Sequence, residues 1–196
     1  MKQLISKNII TVLSILLVLT ACQDHKISGH RLWKLNPERS KISIVTTKNN
    51  SISEVSEFKN FSGNIDGNNH LKISIDLSSL ETNIPIRNER IQKHLFQTEL
   101  YPTADIHAQL KPKNLDNGLH TVSFDVDLHG ISAIIQAEFM VFEQNGNKVI
   151  TLHKPLVINA SDFALENGIT TLKNLAKLNT IDFTVPIHLV LTFAPH

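Results

Sequence analysis

The feature that most constrains this chain is a long run of strict apolar–polar alternation near its C-terminal end. Ile181, Phe183, Val185, Ile187, Leu189, Leu191 and Phe193 fall on one side of an extended backbone, and Asp182, Thr184, His188 and Thr192 on the other. Side chains of a strand point to opposite faces with a period of two, so the run predicts a strand with one face on a core and one in water. The same pattern recurs in Leu71, Ile73, Ile75 and Leu77, and again in Val122, Phe124, Val126 and Leu128. Further strands are expected over Lys41–Thr47, Phe58–Asp66, Ala104–Leu110, Ala133–Phe142 and Lys148–Asn159, about eight in all. Turn signals stand between them at Asp66-Gly67-Asn68, Asp116-Asn117-Gly118 and Asn145-Gly146-Asn147. Pro186 interrupts the last run and donates no ladder hydrogen bond, so a bulge or an unpaired edge is expected there.

Two segments break the alternation. Pro85 to Phe96 opens with a Pro suited to a first helical turn and carries Ile91 and Leu95 four apart. Ile169 to Leu178 places Leu172, Leu175, Ala176 and Leu178 along one side of a short amphipathic helix. The strands are too closely spaced for two cores. One-sided alternation belongs to antiparallel sheets, and a sheet of this size hides its edges most simply by closing. The expectation is an all-β fold, an eight-stranded antiparallel barrel with two short helical inserts.

The N-terminus reads as an address. Lys2 and Lys7 precede an apolar run from Ile9 to Leu19, followed by Thr20, Ala21 and Cys22. A basic start, a short apolar core and small residues at the end make a secretory signal peptide, and the run is too short for a spanning helix of roughly twenty residues. Leu19-Thr20-Ala21-Cys22 resembles the bacterial lipobox, in which cleavage leaves the Cys as a lipid-bearing first residue. The organisation expected is a lipoprotein signal over 1–21, a polar tether over 22–30 and a barrel domain over 31–196. Gln23 follows the Cys in place of the Asp that retains lipoproteins in the inner membrane, which points to a periplasmic protein anchored at the outer membrane. Cys22 is the chain's single Cys, which rules out an intramolecular disulfide and any CxxC zinc or iron–sulfur site. With 19 Lys and Arg against 18 Asp and Glu, no basic excess marks a nucleic-acid surface.

Three stretches resemble the YceI family of bacterial periplasmic proteins, known as polyisoprenoid-binding, lipocalin-like barrels. The first is Val55-Ser-Glu-Phe58-Lys-Asn-Phe61-Ser-Gly63-Asn-Ile65, similar to the family's G-x-F-x-x-F-x-G strand pair with Glu57 in place of the leading Gly. The second runs from Leu77 through Thr82 and Arg87-Asn88 to His94-Leu95-Phe96 and Tyr101-Pro102-Thr103. Here Asn83 and Asn88 stand where the family commonly has Gly and Asp, which removes the acid that would pair locally with Arg87. The third is Leu128-His129-Gly130-Ile131, similar to the family's L-H-G-V. Asn159-Ala-Ser-Asp162-Phe163 and Val185-Pro186 match a branch with a second helix.

The resemblance implies a hollow lumen that holds an isoprenoid chain such as a quinone tail. Nine Phe beside one Trp and one Tyr suit an apolar interior, where each buried Å² contributes about 25 cal/mol. Alternation combined with position in the family pattern selects Ile73, Ile75, Phe96, Val122, Phe124, Phe139, Phe183, Val185 and Ile187 as lumen candidates. No catalytic residue is expected, because the chain has no G-x-S-x-G elbow, P-loop or dinucleotide fingerprint. No metal site or cofactor is expected either. The ten His are dispersed, without HxH or HExxH spacing, although His94 and His129 fall in the family motifs. Two readings compete. One is a lipid carrier or sequestering protein on the periplasmic membrane face. The other is a ligand-free accessory module with a filled barrel that docks on a redox or envelope-stress partner. Homodimerisation is left open by the sequence. Cys22→Ser should release the protein from membranes in a fractionation experiment; unchanged membrane partitioning would contradict the lipid anchor.

Overall fold

The computed structural model describes residues 32–196, and all structural statements concern these residues; the signal over 1–21, the tether over 22–30 and Cys22 lie outside them. Twelve strand segments follow one another as β1 (Trp33–Leu35), β2 (Lys41–Lys48), β3 (Ile52–Phe58), β4 (Phe61–Ile65), β5 (His70–Asp76) and β6 (Leu80–Glu81), then β7 (Thr103–Gln109), β8 (Gly118–Leu128), β9 (Ile131–Gln144), β10 (Asn147–Leu152), β11 (Leu156–Asn159) and β12 (Thr184–Pro195). Four pairs of segments are single strands with a kink. β1 continues into β2 across a 3-10 turn at Pro37–Arg39, β3 into β4 across Lys59 and Asn60, β5 into β6 across Leu77–Ser79, and β10 into β11 across Pro155. Counted this way, eight antiparallel strands run up and down in chain order, and β1 pairs with β12 to shut the ring.

The kinks correct two expected strands. Phe58–Asp66 is not an uninterrupted strand: the kinked strand already starts at Ile52, and the chain steps sideways after Phe58. There the Asp76 N–H donates to Asn60 O at 3.0 Å and the Lys59 N–H to Ser79 O at 3.2 Å. Lys148–Asn159 also divides, because Pro155 breaks the ladder and the His153 N–H turns to Glu138 O at 2.8 Å. Pro186 pairs with Val157 of β11, while pairing of β12 with β2 starts only at Ile187. The missing N–H therefore falls where one side of the strand has no ladder.

Both helical inserts lie in connections at the same end of the barrel. Between β6 and β7 come α1 (Pro85–Arg90) and a π-helical turn over Ile91–Phe96, which ends at the left-handed Gln97 (φ 50°). Between β11 and β12 comes α2 (Glu166–Leu175), which starts and ends three residues before the expected Ile169–Leu178. Ile91, Phe96 and Ile169 are buried beneath these helices, so their apolar faces close that end. The tip of the β2–β3 hairpin is bound to the segment after α2, where the Asn49 N–H donates to Thr180 O at 3.1 Å and the Asn179 N–H to Asn49 Oδ1 at 2.8 Å.

α2 lies against the π-helical turn at the shortest range a backbone allows. A Cβ on Gly168 would sit 2.7 Å from His94 O and 2.8 Å from Leu95 Cα, both main-chain atoms that cannot swing aside. Gly168→Val should therefore lower the unfolding free energy by about 1–3 kcal/mol, the usual range for overpacking. Urea denaturation reads this directly, and a midpoint equal to wild type would contradict the close packing of the two helices.

Candidate functional site

The barrel interior is a chamber of about 290 Å³. One buried water needs roughly 10–15 Å³, so the space is more than an order of magnitude larger than a packing defect. β5 contributes Ile73 and Ile75 to its wall, β8 Val122 and Phe124, β9 Phe139, and β12 Val185 and Ile187. Phe96 reaches it from the π-helical turn, with its ring 6.4 Å from that of Phe58. Phe124 and Phe139 pair across neighbouring strands with centroids 6.0 Å apart. Val122, Phe139, Val185 and Ile187 line the chamber but are only half-buried, because the space in front of them is empty. The filled barrel of the accessory-module reading is thus not what the chain forms.

Phe183 is a correction. Alternation placed it inside, yet it is 39% exposed and does not line the chamber. Ile181 makes an isolated bridge with Lys48, and β12 starts only at Thr184, so the backbone between them bends and the period of two is lost. The Phe183 carbonyl is held by the Ala160 N–H at 2.8 Å while its ring turns outward.

The helix-covered end of the chamber also carries polar side chains, which the sequence reading missed. β2 sends Ile42, Ile44, Thr46 and Lys48 inward in strict alternation, so the wall changes from hydrocarbon to ammonium along one strand. Thr82, Arg87 and Asp182 complete this end of the lining. Glu54 of β3 takes hydrogen bonds from both cations: Lys48 Nζ bonds its Oε2, and Arg87 Nη1 donates to the same oxygen at 2.7 Å. Arg87 Nη2 donates to Thr82 O at 2.7 Å, and Arg87 Nε is buried with no partner. The hydrogen bond from Lys48, opposed by partial burial and reinforced by the charge of Arg87, holds the Glu54 carboxyl below the usual range. It is therefore an anion at neutral pH.

A second set of bonds fixes the loop that carries Arg87. The Thr82 hydroxyl donates to Asn88 Oδ1 at 2.5 Å and the Thr82 N–H to the same atom at 3.0 Å. Asn88 Nδ2 donates to Glu81 Oε1 at 2.9 Å, so this residue bridges the loop instead of pairing with Arg87. Asn83 occupies a left-handed backbone (φ 60°), which Asn tolerates in place of Gly. Of the two motif histidines, His129 packs against Tyr101 with centroids 4.6 Å apart and the rings tilted by 53°, its Nε2 is buried and unpartnered, and neither His129 nor His94 lines the chamber. Among the described residues, no three His, Cys, Asp or Glu side chains come together as a metal site.

A closed up-and-down barrel around an apolar chamber is the architecture of small β-barrel proteins with internal cavities. The chain belongs to the YceI-like family, whose domain matches residues 33–193. It is similar to the solved structure of a polyisoprenoid binding domain from Saccharophagus degradans implicated in plant cell wall breakdown. That pair shares 33% identity over 84% of this chain and 98% of the other, with a TM-score of 0.80. Burkholderia cenocepacia BcnA matches at 16% identity over 81% and 98% of the two chains, with a TM-score of 0.63. The Campylobacter jejuni YCEI protein matches at 17% identity over 72% and 84%, with a TM-score of 0.55. These last two show the fold. Comparison with curated proteins finds no match.

Asn88→Ala would leave the Thr82 N–H, in a residue only 5% exposed, without its acceptor, and the hydroxyl with only the longer bond to Ile84 O at 3.4 Å. A stability loss of about 1–3 kcal/mol is expected from the buried N–H left unsatisfied. Thermal unfolding at wild-type temperature would show that Asn88 does not hold the loop.

Proposed function

We propose that this chain is a binding protein for an isoprenoid-type lipid, such as a quinone or polyprenyl tail, which lies in the barrel chamber. It carries or sequesters that lipid in the periplasm, anchored to the outer membrane through lipid on Cys22. The observation that carries the reading is the empty apolar chamber, with half-buried Val122, Phe139, Val185 and Ile187 facing it. Each CH₂ moved from water into such a space contributes about 0.8 kcal/mol, so a tail of a few isoprene units needs no charged contact to bind. The match to a polyisoprenoid binding domain at 33% identity supports the same ligand class. The lipobox supports the anchor, and among the described residues no helix is long and apolar enough to cross a membrane.

Filling the chamber tests this. Val122→Trp and Ile187→Trp should abolish calorimetric binding of ubiquinone-2, which has a short isoprenoid tail, with thermal stability kept or raised. Binding that persists in both stably folded variants, or its absence in wild type, would overturn the reading.

A further inference from the structure

An anchored barrel has one end nearer its membrane, and the strand directions say which. β1 and β2 run as one kinked strand toward Lys48 at the helix-covered end, so the start of β1 stands at the opposite end. Trp33 there pairs with Ile65 and Pro195, and Lys148 of β10 pairs with Phe193 beside it. Leu32 precedes this point and follows Cys22 by ten residues. Ten residues reach at most about 35 Å when fully extended. β12 has 12 residues, and at the usual rise and barrel tilt it makes the wall about 30 Å tall. A lipid on Cys22 therefore holds the Leu32 end at the bilayer. The helix-covered end could reach it only with the connecting residues drawn out along the whole barrel.

The Leu32 end carries a surface of matching chemistry. Leu119 of β8 and Phe142 of β9 are 51% and 42% exposed near the tips of their strands. Leu119 pairs with half-buried Met140, so Leu119, Met140 and Phe142 are neighbours on the outer face, opposite the chamber-lining His120, Phe139 and Val141. The connection before β8, with its 3-10 turn at Pro112–Leu115, presents exposed Lys111 and Lys113 against one acid, Asp116. Nearby Glu143 is already bonded by Lys148 at 2.9 Å. Apolar side chains beside lysines suit a bilayer surface, where the former enter the acyl boundary and the latter meet anionic phosphates. Ile84 and Ile86 are also exposed, but at the helix-covered end, a barrel's length from Leu32. We propose that Leu119, Met140 and Phe142, with Lys111 and Lys113, form the face that lies on an anionic phospholipid bilayer when the chain is anchored. This rests on the lipid anchor proposed above and adds which end of the barrel meets the membrane. Leu115 and His120 of the same region line the chamber, so that end of the chamber then lies nearest the lipid.

The test uses the full lipid-bearing chain in vesicles of phosphatidylethanolamine and phosphatidylglycerol. Lipid blocks Cys22, the chain's single Cys, so a nitroxide attaches only at an introduced thiol: Leu119→Cys, Phe142→Cys or, at the helix-covered end, Ile86→Cys. All three positions are exposed, so the label leaves the core intact. Collisions with a water-soluble nickel chelate are read by electron paramagnetic resonance, against the same site in a Cys22→Ser chain in solution. They should fall about threefold or more at 119 and 142, which enter the interface, and stay unchanged at 86. Lys111→Glu combined with Lys113→Glu should return site 119 toward its solution value; protection that survives this change overturns the role of the lysines. Shielding at 86 but not at 119 and 142, or at none of the three, overturns the face while leaving the anchor intact. Shielding at 142 that is present without vesicles, with dipolar broadening between labels, means that a second copy covers the face and overturns the membrane contact. If the chain does not stay on the vesicles at all, the lipid anchor fails and the face fails with it.

Discussion

β12 hydrogen-bonds to four segments in turn, and the barrel depends on that seam. Its first half pairs with β11 and β2, and its second half with β10 and β1. Closure pairs the first strand with the last without asking the interior to be solid. Eight strands set a width at which side chains can fill the inside or leave room for a small ligand. Here the interior is left partly open: the wall combines buried residues such as Ile73, Ile75 and Phe124 with half-buried ones such as Val122, Phe139, Val185 and Ile187.

The outer face and the chamber divide the charges. On the outer face, ion pairs are solvent-exposed: Glu57 lies between Lys41 and Lys59, whose hydrogen bonds pull its pKa from 4.5 to about 2. Any stability this lends is present above pH 4.5 and lost as the pH falls toward 2. Lys48 and Arg87 are charges of another kind, because they line the chamber at its helix-covered end, where both bond Glu54. A single strand, β2, carries the change from Ile42 and Ile44 to Thr46 and Lys48.

Most of the barrel was legible because alternation is a direct print of burial on a half-buried strand. Eight of nine lumen candidates line the chamber, since residues such as Ile73, Ile75 and Phe124 sit in unbroken period-two runs. What stayed hidden was set by backbone outside those runs. The step at Lys59 and Asn60, the break at Pro155 and the bend before Thr184 are made by long-range hydrogen bonds, and the last of these turned Phe183 outward. β1 is too short to show a period. Lys48 was missed because a Lys at a strand end looks like a solvated residue, and Arg87 was named only as part of a motif, not as a chamber residue. The one sequence signal for Lys48 was its even spacing from Ile42, Ile44 and Thr46.

The central claim is that the chamber holds a lipid tail. Native mass spectrometry of the full chain, gently extracted from membranes, measures this most directly. The expected spectrum shows the protein with an additional mass that disappears after organic extraction and reappears when an isoprenoid quinone is added back. A bare protein mass in the first spectrum, unchanged by added quinone, would contradict it.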